Sequence, residues 1–192
     1  MDYLCYRFSE LPAEAINTDL LPEKERLAYA NRGAHAITAR CMLRQELARR
    51  MNCEPQQIEI EVNAHDKPYL PGNGLYFNIS HSADLLCMAF HHEPIGVDVQ
   101  QIRPAAATLR LAERMMCDEQ LHNWRERGQP VEEFFACWCA AEALVKHAGS
   151  TVWQAREYPF LCHYGRIEPR FTPAPRVQLF TPMSGYCGAI CL

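Results

Sequence analysis

The sequence has no run of about 18 consecutive apolar residues, so no part of it is expected to span a membrane. Its start, MDYLCYRFSE, lacks the basic stretch and apolar core of a secretory signal. Positive charge is not in excess either: the formal net charge is −4, whereas nucleic-acid binding normally requires a basic surface. We therefore expect a cytoplasmic protein that binds neither membranes nor nucleic acid.

Low-complexity tracts and obvious linkers are also absent. The 192 residues are 48% apolar and 22% charged, which is ordinary for a globular protein. This length is sufficient for one domain or for two small ones.

The ten cysteines lack the spacing of a zinc site. The closest pair, Cys137 and Cys139, lies on a predicted helix that turns the two side chains to different faces, and no second pair completes a metal pattern. Without an export signal we expect reduced thiols that are buried as small hydrophobic side chains. Metal or redox use is the less favoured alternative.

Three stretches have helical patterns. The first covers residues 22–51, with a proline in the first turn and apolar residues at spacings of three, four and seven. The second is TLRLAERMMCDEQLHNWRERG. The third, PVEEFFACWCAAEALVKHAG, is the clearest: it starts with proline, carries two acids in its first turn, and ends with Lys146, His147 and Gly149.

Short strand patterns lie between the first two helices. QIEIEVN alternates apolar and polar residues, whereas LYFNISHS and PIGVDVQ are apolar runs interrupted by polar residues. The short link HHEPIG predicts that the strands it joins form an antiparallel pair. The proline-rich remainder after the third helix contains further short strand candidates and ends in YCGAICL. Each half thus has a long helix and several short strands, which predicts an α+β fold of two similar subdomains that meet near residues 100–106.

Asp98 and Gln100 are the polar residues of the second interrupted strand. The strand period places both on one face, and Gly96 leaves that face open to close approach. A carboxylate beside an amide oxygen suits Mg²⁺, which prefers oxygen ligands. The alternative is an edge strand whose polar face lies in water.

Glu142 and Lys146 are four residues apart on the clearest helix, so they share a face, and Trp138 lies one turn earlier. On a surface such an ion pair stabilises a helix by only about 0.2–0.5 kcal/mol. In a cleft the glutamate could be a metal ligand or general base, and the lysine could neutralise a phosphate. The pattern alone leaves both interpretations open.

The segment FNISHS contains an adjacent serine and histidine. Ser80 and His81 point to opposite faces of a continuous strand, and no G-x-S-x-G surrounds the serine, so a serine hydrolase is disfavoured. His81 and Lys67 could instead contact a phosphate, or His81 could be structural. Arg44 interrupts the apolar stripe of the first helix, one turn after Arg40, and is expected to snorkel or to face an anion. The alternative is that both arginines belong to a solvated basic helix face.

Together and in this order, four blocks resemble the 4'-phosphopantetheinyl transferases, specifically the monomeric two-subdomain type that activates carrier proteins of synthases. The upstream helix with Arg40 and Arg44 and the length of the chain also fit, and the resemblance weakens after about residue 150. The four blocks are DKPYL at 66–70, FNISHS at 77–82, GVDVQQIRP at 96–104 and WCAAEALVK at 138–146.

The resemblance implies two subdomains related by pseudo-two-fold symmetry, each a small antiparallel sheet packed on a long helix. Residues 1–102 would bind the coenzyme A phosphates and contain the Asp98 strand. Residues 103–192 would contain the Glu142 and Lys146 helix and the docking surface for the carrier.

The implied reaction transfers the phosphopantetheine arm of coenzyme A to a serine of an apo acyl or peptidyl carrier protein and releases adenosine 3',5'-bisphosphate. This is the activity of a holo-acyl-carrier-protein synthase. It implies Mg²⁺ held by Asp98, Gln100 and Glu142, with Asp98, Glu142 and Lys146 in catalysis. Coenzyme A would be bound by Arg40, Arg44, Lys67, Pro68, Asn78, Ser80 and His81.

Two positions depart from the family pattern. Gln100 stands where G-x-D-x-E commonly has glutamate, and Ala141 stands where W-x-x-K-E has lysine. Glutamine offers an oxygen without charge, so Mg²⁺ is expected to bind more weakly. The alternative function is therefore a non-catalytic relative that binds coenzyme A or a carrier without turnover.

The carrier-docking surface is predicted on TLRLAERMM. Its Arg110 and Arg114 lie next to Leu111, Met115 and Met116, and such a surface would suit an acidic helix. The alternative is an ordinary amphipathic helix whose apolar side lies in the core.

Overall fold

The computed structural model describes residues 1–72, 74–103, 108–163 and 165–192. Within these ranges the α-helices are α1 (Glu23–Tyr29), α2 (Ala34–Met51), α3 (Thr108–Met115), α4 (Asp118–Glu126) and α5 (Val131–Ala148). The strands are β1 (Asp2–Arg7), β2 (Glu61–Val62), β3 (Pro68–Tyr69), β4 (Tyr76–Ser82), β5 (Leu85–His91), β6 (Gly96–Gln101), β7 (Phe160–His163), β8 (Arg166–Pro169), β9 (Val177–Phe180) and β10 (Tyr186–Cys191).

Each half contains a three-stranded antiparallel sheet and an 18-residue helix. In the N-terminal half the strand order is β1-β5-β4, and one face of this sheet packs on α2. In the C-terminal half the order is β6-β10-β9, and that sheet packs on α5. The predicted α+β fold with two similar sheet-bearing halves is confirmed.

A third apolar cluster joins the two sheets. Val97 and Val99 of β6 pack with Leu85, Cys87 and Ala89 of β5, and all five side chains are fully buried. The opposite face of β6 is turned toward α5. Asp98 on this face is buried and Gln100 is half-buried, so this is not the water-exposed polar face of the edge-strand alternative.

Strand β6 does not pair with β5, so the antiparallel pair predicted from the short link HHEPIG is wrong. Its ladder partner is β10, with Asp98 opposite Ala189 and Gln100 opposite Cys187. A partner some 90 residues away cannot be read from a link length, because only the tertiary fold brings it near. The predicted boundary at residue 102 stays a prediction, although β6 hydrogen-bonds within the C-terminal sheet; residues 104–107 lie outside the described ranges.

One edge of β6 pairs with β10, and the backbone amides on its other edge donate hydrogen bonds to polar side chains of β4. The amide of Val97 donates to Asn78 Oδ1 (2.8 Å), that of Val99 to Ser80 Oγ (3.3 Å), and that of Gln101 to Ser82 Oγ (3.1 Å). A buried amide without a partner costs about 1–3 kcal/mol, so these three acceptors explain why polar residues alternate along an otherwise apolar strand. Asn78 thus has a structural partner and is fully buried.

Gly96 permits the close packing of β6 against α5. A Cβ atom at this position would lie 2.0 Å from the carbonyl oxygen of Ala143 and 2.6 Å from the amide nitrogen of His147. The sequence predicted that Gly96 allows close approach, and what approaches is the backbone of the helix that carries Glu142 and Lys146.

The single helix predicted over residues 22–51 is two helices, α1 and α2, with a break before Ala34. Gly33 occupies the N-cap of α2 with an extended ψ of 157°. Leu27, the first of the apolar residues at helical spacing in this stretch, is 72% exposed. The break turns α1 so that one of its acids reaches the side of α2, a tertiary contact that helical periodicity does not encode. The clearest predicted helix is confirmed as α5, with Gly149 as its C-cap at φ 70°.

Candidate functional site

A cavity of about 460 Å³ lies where β4, β6, α3 and α5 meet. One wall is polar and the other apolar and aromatic. The polar wall contains Ser80, His81, Ser82, Asp98, Gln100, Gln101, Arg103, Glu142 and Lys146, and the apolar wall contains Ile79, Leu111, Phe134, Phe135 and Trp138. Six of the residues predicted for the site, from three separate sequence blocks, are therefore brought together.

Lys146 is placed between the two predicted catalytic carboxylates. Its Nζ donates to Asp98 Oδ1 at 2.7 Å and lies 3.9 Å from Glu142 Oε2. It also donates to the carbonyl oxygen of Val97 (3.2 Å) and to Ser80 Oγ (3.3 Å). Asp98 comes from β6 and Glu142 from α5, so one ammonium group joins the carboxylates of two elements.

Asp98 is buried, and both of its carboxylate oxygens accept hydrogen bonds. Besides Lys146, its Oδ1 accepts a hydrogen bond from Ser80 Oγ at 2.7 Å, and its Oδ2 accepts one from Gln100 Nε2 at 3.0 Å. Gln100 thus presents its amide nitrogen to Asp98, while its oxygen accepts from Ser82 Oγ at 3.3 Å. For Gln100 to offer oxygen to a metal beside Asp98, its amide group must rotate.

The donor set fits a weakly held Mg²⁺. Two carboxylates and an amide line one cavity, and a hard cation prefers oxygen ligands. In the part of the chain that the structure describes, no three His, Cys, Asp or Glu side chains come together as a metal site. The residues therefore fit an ion that shares its coordination with a bound phosphate group better than one that the protein holds alone.

The charges of this cluster shift two pKa values. Burial disfavours the charged form of Lys146, but the nearby carboxylates of Asp98 and Glu142 outweigh it, so its pKa is raised above that of an ordinary lysine. Burial raises the pKa of Glu142, with Lys146 opposing the shift and Asp98 adding to it. Lys146 therefore remains a cation at neutral pH, and Glu142 is a stronger base than an exposed glutamate.

His81 is at the solvent-exposed rim of the cavity. Partial desolvation and the positive charges of His35 and Lys146 lower its pKa below that of an ordinary histidine. Phe8 lies between the two histidines: it stacks on His35 with ring centroids 4.0 Å apart and contacts His81 edge-on at 6.3 Å. An anion bound here would favour protonated His81.

Lys67 and Pro68 line a second cavity, of about 490 Å³, beside the C-terminal end of α5. Lys67 Nζ donates to the carbonyl oxygens of Ile95 (3.2 Å) and Lys146. Burial lowers the pKa of Lys67 to about 8. Lys67 thus caps the helix that bears the site, and it does not line the cavity of Asp98 and Glu142.

Arg40 and Arg44 lie apart from both cavities and bind Glu25 of α1. Arg44 donates to Glu25 through Nε and Nη2, each at 2.7 Å, and to the carbonyl oxygens of Pro55 and Ile58. Arg40 forms a second bidentate pair with the same carboxylate. The anion that the sequence predicted for Arg44 is thus a side chain of the protein, and the structure gives Arg44, 1% exposed, no open surface for a phosphate.

Ala141, where the family pattern has lysine, is 1% exposed and belongs to the core under α5. Sequence reasoning missed Ser82 and the two phenylalanines of the aromatic wall, Phe134 and Phe135, whereas it indicated Trp138 by its position one turn before Glu142. The alternation of Asn78, Ser80 and Ser82 on one strand face was a usable signal for Ser82. Phe134 precedes Trp138 by one helical turn, which also indicates a shared face.

Two family models match this chain. The model of the 4'-phosphopantetheinyl transferase superfamily matches residues 94–186, and that of the 4'-phosphopantetheinyl transferase N-terminal region matches residues 15–93. The two matches meet in the link before β6 and together cover both three-stranded sheets except β1 and all of β10 beyond its first residue. The chain belongs to the 4'-phosphopantetheinyl transferase superfamily.

Individual relatives agree. The chain is 28% identical over 131 residues to a 4'-phosphopantetheinyl transferase of Bacillus subtilis, over 66% of this chain and 58% of that protein. It is 28% identical over 178 residues to the 4'-phosphopantetheinyl transferase HetI of Nostoc sp., and this match covers 88% of the chain and 70% of HetI. It is 33% identical over 105 residues to the 4'-phosphopantetheinyl transferase AcpT of Escherichia coli O157:H7, and this match covers 50% of the chain and 51% of AcpT. The match thus spans less than two thirds of the Bacillus subtilis protein.

Proposed function

We propose that this chain transfers the 4'-phosphopantetheine arm of coenzyme A to a serine hydroxyl of an apo carrier protein, with Mg²⁺, and releases adenosine 3',5'-bisphosphate. The observation that supports this most is the contact of Lys146 with both Asp98 and Glu142 inside one cavity. Phosphoryl-type transfer to an alcohol depends mainly on positioning and on charge stabilisation. This cavity offers carboxylates that could hold a metal ion, a cation that could stabilise negative charge, and a carboxylate that could act as a base.

Asp98 and Glu142, with Gln100 after rotation of its amide, would hold Mg²⁺, which would neutralise the diphosphate of the coenzyme. Lys146 remains charged and is placed to stabilise the negative charge of the departing phosphate. Glu142, with its raised pKa, is placed to take the proton of the incoming serine. Ser80 orients Asp98 through its 2.7 Å hydrogen bond.

The coenzyme would lie with its phosphates on the polar wall, near His81. Lys67, Pro68, Arg40 and Arg44 remain predicted contacts of coenzyme A. Both arginines would have to exchange Glu25 for a phosphate. The aromatic wall around Phe134 and Trp138 offers an apolar surface to the pantetheine arm.

For the carrier, we propose the outer face of α3. Met115 and Met116 are buried in the core, so the predicted methionine surface is wrong. The exposed part instead combines Arg110 with Arg114, whose guanidinium lies 4.3 Å from the ring centre of Trp153. Trp153 is 68% exposed, and such tryptophans are common interface hot spots.

This surface is continuous with the cavity, because Leu111, one turn before Arg114, lines it. The cationic side chains suit an acidic carrier helix. Replacement of Trp153 by alanine should lower kcat/KM for the carrier by about 30-fold, since a hot spot contributes roughly 2 kcal/mol, while KM for coenzyme A stays unchanged. Arg125→Ala, which removes an exposed arginine paired with Glu113, is the matched control.

The activity is tested by incubating the chain with coenzyme A, Mg²⁺ and a panel of apo carrier proteins. We expect a phosphopantetheine mass gain on the carrier serine, which would establish the holo-carrier-synthase activity, and size-exclusion chromatography would test the predicted monomer. Absence of any gain at millimolar magnesium, with carriers from the same genome, would count against a transferase.

The second candidate is a non-catalytic relative, which is favoured by the two-carboxylate site and by the amide of Gln100 that faces Asp98. Calorimetry with coenzyme A in the presence and absence of Mg²⁺ separates the two candidates. Binding that ignores the metal, and that Asp98→Ala leaves unchanged, would support the non-catalytic relative.

A further inference from the structure

Two thiols lie in contact, one on α5, which carries Glu142 and Lys146, and one on β10, the ladder partner of the Asp98 strand. Cys139 Sγ on α5 and Cys187 Sγ on β10 are 3.4 Å apart, and both cysteines are free. A disulfide needs an S–S distance near 2.05 Å, so the sulfurs must approach by only about 1.4 Å. Each also has a defined neighbour in the site: Cys187 is opposite Gln100 in the β6–β10 ladder, and Cys139 is one turn before Glu142.

We propose that Cys139 and Cys187 form a reversible dithiol–disulfide pair that a small-molecule disulfide such as oxidised glutathione oxidises. The bond would tie the α5 turn that bears Glu142 to the sheet that bears Asp98. Its chemistry needs none of the proposed transferase activity, so either proposal can fail without the other.

Access determines the order of the two steps. Cys187 is half-buried and lines a cavity of about 480 Å³ formed by β9, β10 and the first two turns of α5, whereas Cys139 is 0% exposed. Cys187 therefore meets the oxidant first. Its thiolate attacks one sulfur of oxidised glutathione, a new S–S bond forms, and one glutathione thiolate leaves.

Cys139 then resolves the mixed disulfide. Its thiolate attacks the sulfur of Cys187, and the second glutathione thiolate leaves, so two thiols have lost two electrons and two protons to give two molecules of reduced glutathione. Burial and the hydrogen bond with Cys187 raise the pKa of Cys139 well above that of an ordinary thiol. The second step is therefore the slow one, and it accelerates as the pH rises.

The chain provides an internal comparison in Cys5 and Cys87, register partners on β1 and β5 with Sγ atoms 3.0 Å apart. Neither residue lines the cavity of Asp98 and Glu142. A bond between them would join two neighbouring strands of the N-terminal sheet and leave α5 free.

The test is to equilibrate the folded chain in glutathione redox buffers, quench with acid, alkylate and identify cross-linked peptides by mass spectrometry. We expect a Cys139–Cys187 cross-linked peptide that dithiothreitol removes, and a rise of a few degrees in the thermal midpoint that Cys187→Ser abolishes. In Cys139→Ala, glutathione should remain attached to Cys187. Full alkylation of both thiols, a cross-link only between Cys5 and Cys87, or glutathione retained on Cys187 in the unaltered chain would overturn the proposal.

Because Cys139→Ala could disturb the core, the cross-linked peptide of the unaltered chain is the deciding measurement, and circular dichroism verifies each variant.

Discussion

The Lys146 ammonium on α5 lies 2.7 Å from Asp98 Oδ1 on β6, although the two residues are 48 positions apart. Gly96 makes this contact possible, because it lets the helix backbone touch the strand two residues before Asp98. The ion pair therefore depends on backbone packing as much as on charge.

Glu142→Gln should reduce transfer by about 10²–10⁴-fold, the usual contribution of a general base, while the fold stays intact. Glutamine keeps the shape of the side chain and removes its charge and its basicity. The measurement is carrier modification by mass spectrometry, with circular dichroism as the check of folding. Glu132→Gln, an exposed acid on the same helix, is the control. An unchanged rate would remove Glu142 from the mechanism.

Gln100→Glu should lower the magnesium concentration required for half-maximal activity. A carboxylate at this position adds a charged ligand and repels Asp98 when no cation is present. Magnesium should therefore also raise the melting temperature of the variant more than that of the unaltered chain. This measurement does not depend on catalytic turnover. Gln178→Glu, on the exposed side of β9, adds the same charge elsewhere. A raised magnesium requirement would show that Gln100 is not a metal neighbour.

Gly96→Ala should destabilise the fold by roughly 3 kcal/mol, at the upper end of the cost of overpacking, because the added methyl group meets a helix carbonyl at 2.0 Å. Urea denaturation measures this change. Gly33→Ala is the matched control, since a Cβ there has no atom within 4 Å. Equal stabilities of the two variants would mean that α5 and β6 separate without cost.

Glu25→Gln should destabilise the fold by about 3 kcal/mol at pH 7. Burial of Glu25 opposes its charge, but Arg44 and Arg40 lower its pKa from 4.5 to about 2, and each pKa unit corresponds to about 1.4 kcal/mol. Because the folded-state pKa is depressed, the contribution is complete above pH 4.5 and is lost as the pH falls toward 2.

The difference between the unaltered chain and Glu25→Gln should accordingly shrink between pH 5 and pH 3 in urea titrations. Glu23→Gln, an exposed acid on α1, should show little effect at any pH. A difference that stays constant over this range would contradict the depressed pKa.

Local patterns were sufficient where the relevant residues are close in sequence. The spacing of Glu142 and Lys146 predicted their shared face, the strand period predicted that of Asp98 and Gln100, and cap residues predicted α5 almost to its ends. The order of the sequence blocks then predicted that these four residues meet, and in the structure all four line the same cavity.

Interactions between distant residues were not predictable in this way. Arg44 and Glu25 are 19 residues apart on two helices, and the break between these helices decides that they meet. Similarly, β6 is paired with β10 rather than with its neighbour in sequence. In both cases tertiary packing chose among partners that the local pattern left equally possible.

The three acceptors on β4 have an evolutionary consequence. A backbone ladder fixes the spacing of two strands whatever the side chains are, whereas amide and hydroxyl bridges such as those of Asn78, Ser80 and Ser82 set a gap that point substitutions can alter. Exchange of one or two residues along this line would thus change the separation of β4 and β6 and leave the hydrogen-bond ladders of both sheets unchanged.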